Sequence, residues 1–483
     1  MNGKALKKLC VTVMVCYIAV AAAFYGIAGD QLSARVDQTS MPTMKDGTGE
    51  LVGGGEVRQA FCLDGHELLG VSLVTATYGR ENTSRLKVSV VDRSGVVAGE
   101  CEVLNCWLTN GISEITFPQP VPIRPGEWYE LMLTSPDGTG GNAISLMYGD
   151  TIALSRGEAP LVIADGERLK VNGQPVDGKL CVRFTVQKNL WFGQVYWYLV
   201  LGGGLLLAGY LAYTIRQERR GSPTQALRVL SAFLRYRFLI RQLVARDFKT
   251  KYKRSVLGVL WSFLNPILTM AVQYVVFSTI FKSDIPNFAL YLLTGIVCFN
   301  FFSEAVSMAL SSIVGNAGLI TKVYVPKYIY PLSRVLSSCV NLLLSLLPLF
   351  AVTLLTGAPV RPALLLLPFG LGCLFLFTLG IGLLLATAMV FFRDTQFLWG
   401  VVSMLWMYLT PIIYPESIIP QQFMPLYKCN PLYHIIRFIR IILMDGISPE
   451  PKAYGLCLLA CIVPLLIGLW VFKKEQDKFV VNL

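Results

Sequence analysis

Charge and histidine are what this sequence has least of, and each shortage narrows its class. Of 483 residues only 15% are charged while 54% are hydrophobic, against about 25% charged and about 45–50% apolar in soluble globular proteins. That balance argues against a soluble enzyme, a nucleic-acid module and a disordered chain alike. Only two histidines occur, His66 and His434, and the twelve cysteines show no metal-ligand spacing. No zinc centre and no His-dependent catalytic site is expected. A phosphate loop is missing too. Gly173, Gly178 and Lys179 keep a G-x-x-x-x-G-K spacing, but Leu180 stands where a hydroxyl must reach Mg²⁺, and the segment reads as a hairpin turn. No ATP site is therefore expected in this chain.

What is abundant is long apolar sequence. Eight candidate spans fall near 9–28, 191–215, 257–281, 288–310, 332–356, 362–391, 396–411 and 453–472, each compared with the roughly 20 residues that cross a 30 Å hydrocarbon core. The net charge of +12 is unevenly placed. Residues 29–190 hold 14 Lys/Arg against 20 Asp/Glu, whereas residues 216–254 hold 12 against 2. If the first span runs outward, 22 basic residues face inward. The opposite face of the last six spans has Lys282, Arg361, Lys428, Arg437, Arg440 and Lys452. The positive-inside rule then puts both termini in the cytoplasm and excludes a nucleic-acid partner as the reason for the charge.

Residues 1–28 read as a membrane anchor. Lys4, Lys7, Lys8 and the Ala21-Ala22-Ala23 run also fit a cleavable leader, and either reading exports the segment that follows. Residues 29–190 change character: Leu86, Val88 and Val90 alternate with Lys87 and Ser89, and Leu180, Val182, Phe184 and Val186 alternate with Cys181, Arg183 and Thr185. Period-two patterning, with turn signals at 92–95 and 136–138, predicts an extracytoplasmic all-β sandwich or jelly roll. Trp107 and Trp128 are its candidate glycan-binding residues, with core packing as the competing reading. Cys62 and Cys181 fall in what read as its first and last strands, so a bridge and free thiols are both open.

The segment 191–215 is a second span, and 216–256 is a basic cytoplasmic stretch. Within it Ala226, Val229, Leu230, Phe233, Ile240, Leu243 and Val244 share one helical face, with Arg228, Arg235, Arg246 and Lys249 opposite. Such a helix lies on a leaflet, each cation near anionic lipid contributing roughly 1 kcal/mol. Residues 257–483 hold six spans. Between them, 412–448 is apolar yet broken by Pro415, Pro420, Pro425 and Pro431, so a re-entrant hairpin of two short segments is expected.

A family resemblance rests on motifs in order along residues 222–483. Arg246-Asp247 with Lys251-Tyr252, then Ser255-Val256-Leu257-Gly258-Val259-Leu260-Trp261 and Pro266, resembles the entry to the core of type-2 ABC transporter permeases of the polysaccharide exporter family, which export O-antigen and teichoic acid. Asn316, Leu319, Ile320, Lys322, Val325, Pro326, Lys327 and Pro331 resemble that family's cytoplasmic coupling segment. Phe392-Arg393-Asp394 resembles its short inner loop, and Pro411 to Tyr414 with Asn430-Pro431-Leu432 and Arg437 resembles its outer re-entrant hairpin. The N-terminal span, β domain and second span are additions to the family plan.

The resemblance implies a polytopic α-helical protein of the bacterial cytoplasmic membrane, carrying an inserted β domain and working as a permease without its own ATPase site. It implies a separate ATPase subunit binding ATP and Mg²⁺, a second permease copy, membrane lipids around both, and a lipid-linked glycan as cargo. A type-2 permease for drug or lipid efflux and a non-transporting membrane-anchored receptor are the rival readings. The coupling candidates are Asn316, Leu319, Lys322, Pro326, Lys327, Arg393 and Asp394; those of the outer hairpin are Tyr414, Asn430, Pro431 and Arg437. A glycan has apolar ring faces that slide over aromatic side chains. Trp261, Tyr274, Phe277 and Phe281 are therefore path candidates, with Trp399, Ser403, Trp406 and Thr410, which share one face because Trp399 and Trp406 are seven residues apart. Interfacial anchoring is the competing role for each of these aromatics.

Overall fold

The computed structural model describes residues 3–149, 152–153, 168–220, 222, 224–253, 257–280, 287–322, 325–414, 416 and 419–482. The expectations for Ser255, Val256, Phe281 and Pro415 lie outside them. Two compact units form, one of residues 1–31 with 195–483 and the other of residues 32–194.

The second unit is an antiparallel β sandwich. Its first sheet has the order β1 (Ala34–Gln38), β15 (Val182–Asn189), β5 (Glu67–Ala76), β10 (Ser145–Gly149), β14 (Lys179–Leu180), with β3 (Asp46–Glu50) on β10 and β8 (Gly111–Pro122) on β5. The other runs β13 (Gln174–Val176), β12 (Leu169–Val171), β4 (Glu56–Cys62), β9 (Trp128–Thr134), β6 (Arg85–Asp92), β7 (Val97–Leu104). A two-stranded pair joins β2 (Met41–Pro42) to β11 (Ile152–Ala153). The alternation seen in the sequence becomes the core: Leu86, Val88 and Val90 of one sheet and Val182, Phe184 and Val186 of the other are buried. Phe61 on β4 stacks on Phe184 on β15 with centroids 4.3 Å apart, which ties the two sheets face to face.

Gly173 sits where the sequence placed a turn. Asn172 (φ 50°) and Gly173 (φ 78°) are both left-handed and join β12 to β13, the backbone of a two-residue hairpin. At 92–95, the Asp92 carboxylate accepts from the Ser94 and Val96 amides at 2.8 and 2.9 Å. These bonds hold the Asp92 pKa below its usual value, the Ser94 hydroxyl contributing most. All twelve cysteines are free thiols, so the Cys62–Cys181 bridge is not formed. Cys62 lies opposite Trp128 in one sheet, while Cys181 donates its amide to Met147 of the other. Burial pushes the Cys101 and Cys181 thiols up to about 11.

The first unit is helical. Seven helices among the described residues are long and apolar enough to cross a membrane: Leu6–Gly29, Trp191–Arg219, Gly258–Ser278, Phe288–Leu310, Ile329–Leu355, Pro362–Phe391 and Pro451–Asn482. We name its principal helices α1 (Gly3–Ser33), α2 (Trp191–Arg219), α3 (Gln225–Tyr252), α4 (Trp261–Val275), α5 (Phe288–Leu310), α6 (Ala317–Ile320), α7 (Ile329–Leu355), α8 (Leu367–Phe391), α9 (Thr395–Tyr408), α10 (Met424–Lys428), α11 (Pro431–Arg440), α12 (Pro451–Glu475) and α13 (Phe479–Asn482). The eighth expected span, 396–411, forms a shorter helix, α9. Helix α9 has 14 residues, about 21 Å at 1.5 Å per residue, because Pro411 has no amide to continue the ladder and moves its predecessor out of helical geometry.

Small residues set the closest approaches, as expected where lipid removes the hydrophobic drive between helices. Tyr17 of α1 donates to Val200 O at 2.9 Å and lies over the Gly203-Gly204 step of α2. Helices α8 and α12 cross in backbone contact: a Cβ on Gly380 would fall 2.5 Å from Leu465 N, and one on Gly468 would collide with Gly380 O. The central helix is α5, with 17 of its 23 residues buried against α4, α7, α8, α9 and α11.

Candidate functional site

Helix α3 is amphipathic as expected, but its apolar face divides. Val229 and Phe233 in its N-terminal half are exposed, while Ile240 and Leu243 are buried with Ile329, Tyr330 and Phe479. A polar seam then fixes its C-terminal turns to the bundle. The Asp247 carboxylate is almost wholly buried; its Oδ1 accepts from Arg246 Nη2 at 3.1 Å and pairs with Arg334 Nη1 of α7 at 3.0 Å. Arg246 also reaches Asn316 Oδ1 at 3.4 Å, and Asn316 donates to Ser312 O at 2.7 Å. One turn further, Lys251 Nζ lies 2.9 Å from both oxygens of Glu304 on α5, and Glu304 accepts from Asn341 Nδ2 of α7 at 2.7 Å. Tyr252 closes the seam by bonding Asn341 Oδ1 at 3.1 Å and the Ser262 hydroxyl of α4.

Each carboxylate in this apolar setting is thus matched by a cation, which is what makes it tolerable there. The sequence motif Arg246-Asp247 with Lys251-Tyr252 marks one side of the seam. Glu304 and Asn341 were missed, although Glu304 is the sole charged residue of its apolar span, a signal that ordinarily points to a working residue.

The segment after α5 turns through 3₁₀ geometry at Val314–Asn316 into α6. Leu319 packs on the cluster that holds Ile240 and Leu243, Pro326 is half-buried, and Lys322 is exposed. Lys327 is not free: its Nζ donates to Gln476 O and lies 5.8 Å from the centre of the Phe479 ring, joining this segment to the C-terminal turns. Arg393 and Asp394 are exposed in the short link between α8 and α9, where Asp394 O accepts from the Phe397 amide.

The α9 stripe forms as its spacing demands, and it faces inward. Trp399 is buried and donates to Ser307 Oγ at 3.0 Å; Ser403 bonds Ser303 at 3.0 Å; Trp406 donates to Asn430 Oδ1 at 2.9 Å. Both indoles pack edge-on against Phe302 of α5, at 5.8 and 5.2 Å. Thr410 accepts from Asn430 Nδ2 at 2.9 Å. On α4, Trp261 and Tyr274 are exposed and Phe277, just beyond it, is half-buried.

The hairpin breaks into short helices as its prolines require. Asn430 caps α11 by accepting from the Leu432 amide at 3.1 Å, with Pro431 at the first helical position, where no amide is needed. The Tyr414 hydroxyl meets Tyr427 at 3.1 Å, beside an apolar cavity of about 460 Å³ lined also by Tyr408, Pro420 and Phe423. Arg437 is exposed and donates to Tyr433 at 3.3 Å. Arg440, grouped with it among the cations of the outer side, is only 2% exposed. Its guanidinium donates to Pro411 O at 2.6 Å and to Tyr291 O and Ile412 O at 3.1 Å. Gly295 leaves the room for it, since a Cβ there would lie 2.7 Å from Arg440 Nη2. The fork of the guanidinium serves three carbonyls through its two terminal nitrogens, which is how a cation is held inside.

This helical unit is where known proteins match. The ABC-2 type transporter family model covers residues 239–444. The O-antigen export system permease protein RfbA of Klebsiella pneumoniae is 31% identical over 238 residues, 48% of this chain and 90% of that protein. The chain belongs to the ABC-2 type transporter permeases. RfbA of Myxococcus xanthus is 29% identical over 255 residues, 52% of this chain and 98% of its own length. The polysialic acid transport protein KpsM of Escherichia coli is 24% identical over 257 residues, 51% of this chain and 97% of its own. The family match of this ABC-2 permease takes in the C-terminal half of α3, the polar seam, the α9 stripe and the Arg440 anchor, and leaves the β sandwich outside it.

In that sandwich the two candidate tryptophans stand apart. Trp107 is 74% exposed on a 3₁₀ turn. Trp128 lines a cleft of about 670 Å³ with Arg58, Arg93, Glu130, Arg168 and Lys170. Tyr129 is core: it is buried against Phe61, with its hydroxyl accepting from the Arg124 amide at 3.0 Å.

Proposed function

We propose that the chain is the membrane subunit of an ABC exporter that moves a lipid-linked polysaccharide outward across the bacterial cytoplasmic membrane, driven by ATP hydrolysis on a separate subunit. The observation that carries this reading is the match to nine-tenths or more of three relatives named for O-antigen export and polysialic acid transport. The ATPase docks on the 316–327 segment, where Lys322 is the exposed cation, and on the Arg393-Asp394 link. Two copies enclose the route. Helices α4 and α9 both flank α5 and both leave apolar residues uncovered, Leu268 and Val272 on one and Val401 and Leu405 on the other, surfaces suited to lipid or a second copy. Trp261 and Tyr274 offer ring faces to a sliding sugar chain. Trp399, Ser403, Trp406 and Thr410 hold the wall behind them. With α9 and the turn after it as a shorter eighth crossing, both termini lie in the cytoplasm and the β domain outside.

Deleting the gene from its host and restoring it on a plasmid tests the reading. Surface glycan is lost on deletion and returns only when an ATPase with an intact phosphate-loop lysine is present. Unchanged surface glycan in the deletion strain rejects it.

A further inference from the structure

The cleft beside Trp128 is built on the outer face of the second sheet, and the strand register shows how. Directly opposed residues of antiparallel strands point to the same side. Pro175 opposes Lys170, Lys170 opposes Arg58, and Arg58 opposes Met132, so four strands send these side chains outward in one row. The next row is Ala60, Glu130 and Val91, and Trp128 follows opposite Cys62. The alternate residues Val57, Phe61, Leu131, Leu133, Val88 and Val90 are the buried core. The cleft floor is therefore as rigid as the sheet, with Met132, Val91 and Pro175 making it apolar.

Its charge runs against that of the domain. Residues 29–190 carry 14 Lys/Arg against 20 Asp/Glu, yet the lining holds Arg58, Arg93, Arg168 and Lys170 against Asp92 and Glu130. Arg58 is already paired, with Glu56 at 2.9 Å and Glu130 at 3.5 Å. Asp92 is engaged by its own turn. Arg93, Arg168 and Lys170 are exposed and have no carboxylate partner among the described residues. Arg93 lies 6.0 Å from the centre of the Trp128 ring, so the indole face and a guanidinium border the same space.

We propose that this cleft binds an anionic glycan, the ring faces of the sugar lying on Trp128 and its acidic groups meeting Arg93, Arg168 and Lys170. A neutral sugar has no use for three cations that lack a carboxylate partner among the described residues, and a small anion has no use for the indole and the apolar floor. A volume of about 670 Å³ lies inside the range of about 300–1,000 Å³ usual for small-ligand sites, room for a few sugar rings. Carboxylate and phosphate present the same chemistry to the cations. The inference rests on the export reading only in taking the bound glycan to be the cargo.

The test uses the full chain in nanodiscs of uncharged lipid, with calorimetric binding of tetragalacturonate and of a phosphomannan oligomer. Neutral galactotetraose, tripolyphosphate and octaglutamate are the comparators. At least one acidic glycan binds; Trp128→Ala weakens it about tenfold, and Arg93→Glu or Lys170→Glu about three- to tenfold each, more at low salt. The exposed Arg93 and Lys170 variants keep the signal independent of folding, which thermal unfolding checks for Trp128→Ala. Whichever acidic glycan binds names the anion. The proposal is overturned by binding of neither, by equal affinity for galactotetraose, by tripolyphosphate binding as tightly as the glycan, or by octaglutamate binding with the same dependence on Trp128. Export is scored separately: loss of binding with export intact rejects the cleft alone, and binding without export rejects the transport reading alone.

Discussion

Arg440 and Tyr291 share an acceptor. The guanidinium carbon of Arg440 lies 3.4 Å from the centre of the Tyr291 ring, and Pro411 O accepts from Arg440 Nη1 at 2.6 Å and from the Tyr291 hydroxyl at 3.1 Å. That hydroxyl is also 3.0 Å from Tyr414 O. The pair therefore joins the end of α11 to α5 and to the chain leaving α9.

Removing Arg440 strands those carbonyls. Arg440→Ala is expected to lower stability by about 3 kcal/mol or more, from unsatisfied buried acceptors at about 1–3 kcal/mol each together with the cavity left behind. Arg440→Lys recovers only part, because an ammonium lacks the planar fork. Arg437→Ala, at an exposed position, changes little. Thermal unfolding of the detergent-solubilised chain ranks the three, and equal loss for Arg437 and Arg440 would contradict the anchor.

The Asp247 cluster predicts strong coupling. Asp247→Asn leaves Arg246 and Arg334 facing each other without a carboxylate; because both arginines are partly exposed, the loss is expected at about 1–3 kcal/mol rather than the larger cost of a fully buried pair. A double-mutant cycle with Arg334→Gln is expected to give a coupling of about 1–3 kcal/mol. Additive effects would mean that Arg334 does not hold Asp247.

Two lysines of the 316–327 segment separate docking from folding. Lys322→Glu, on an exposed side chain, is expected to reduce ATPase stimulation and export at unchanged protein level. Lys327→Glu also breaks the bond to Gln476 O and the contact with Phe479, and lowers thermal stability as well. Full activity of Lys322→Glu would move the docking site elsewhere.

Thiol chemistry reports both burial and sidedness. Burial raises the Cys101 and Cys181 pKa to about 11, so at pH 8 both remain protonated and unreactive toward maleimide. Cys106 is exposed. A membrane-impermeant maleimide on intact spheroplasts is expected to label Cys106, with Cys101 and Cys181 labelled only after denaturation. Protection of Cys106 until the membrane is opened would place the β domain on the other side.

Much of the fold is written locally, and so it could be read. Period-two runs at 86–90 and 182–186 became core strands, and an Asn172-Gly173 pair made the hairpin that its left-handed backbone allows. The prolines of 412–448 broke that stretch into short helices. What escaped depends on partners distant in sequence. Whether Arg440 meets solvent or a nest of carbonyls is decided by Gly295, 145 residues away. Periodicity put Trp399 and Trp406 on one face but could not say that Phe302 covers it. Glu304 has Lys251 and Asn341 as partners on two other helices, a pairing no local pattern records.

The Gly380–Gly468 crossing limits how this protein can move. Helices touching through side chains can trade rotamers and shift past one another, but α8 and α12 meet through backbone, with Leu465 and Pro464 already against Gly380. Sliding one along the other by a single 1.5 Å step would press main chain into main chain. The two therefore behave as one beam, and displacement during a working cycle falls to joints elsewhere. The π-helical turns that end α4 at 276–280 and α11 at 441–445 are where the helical ladder is already loosened.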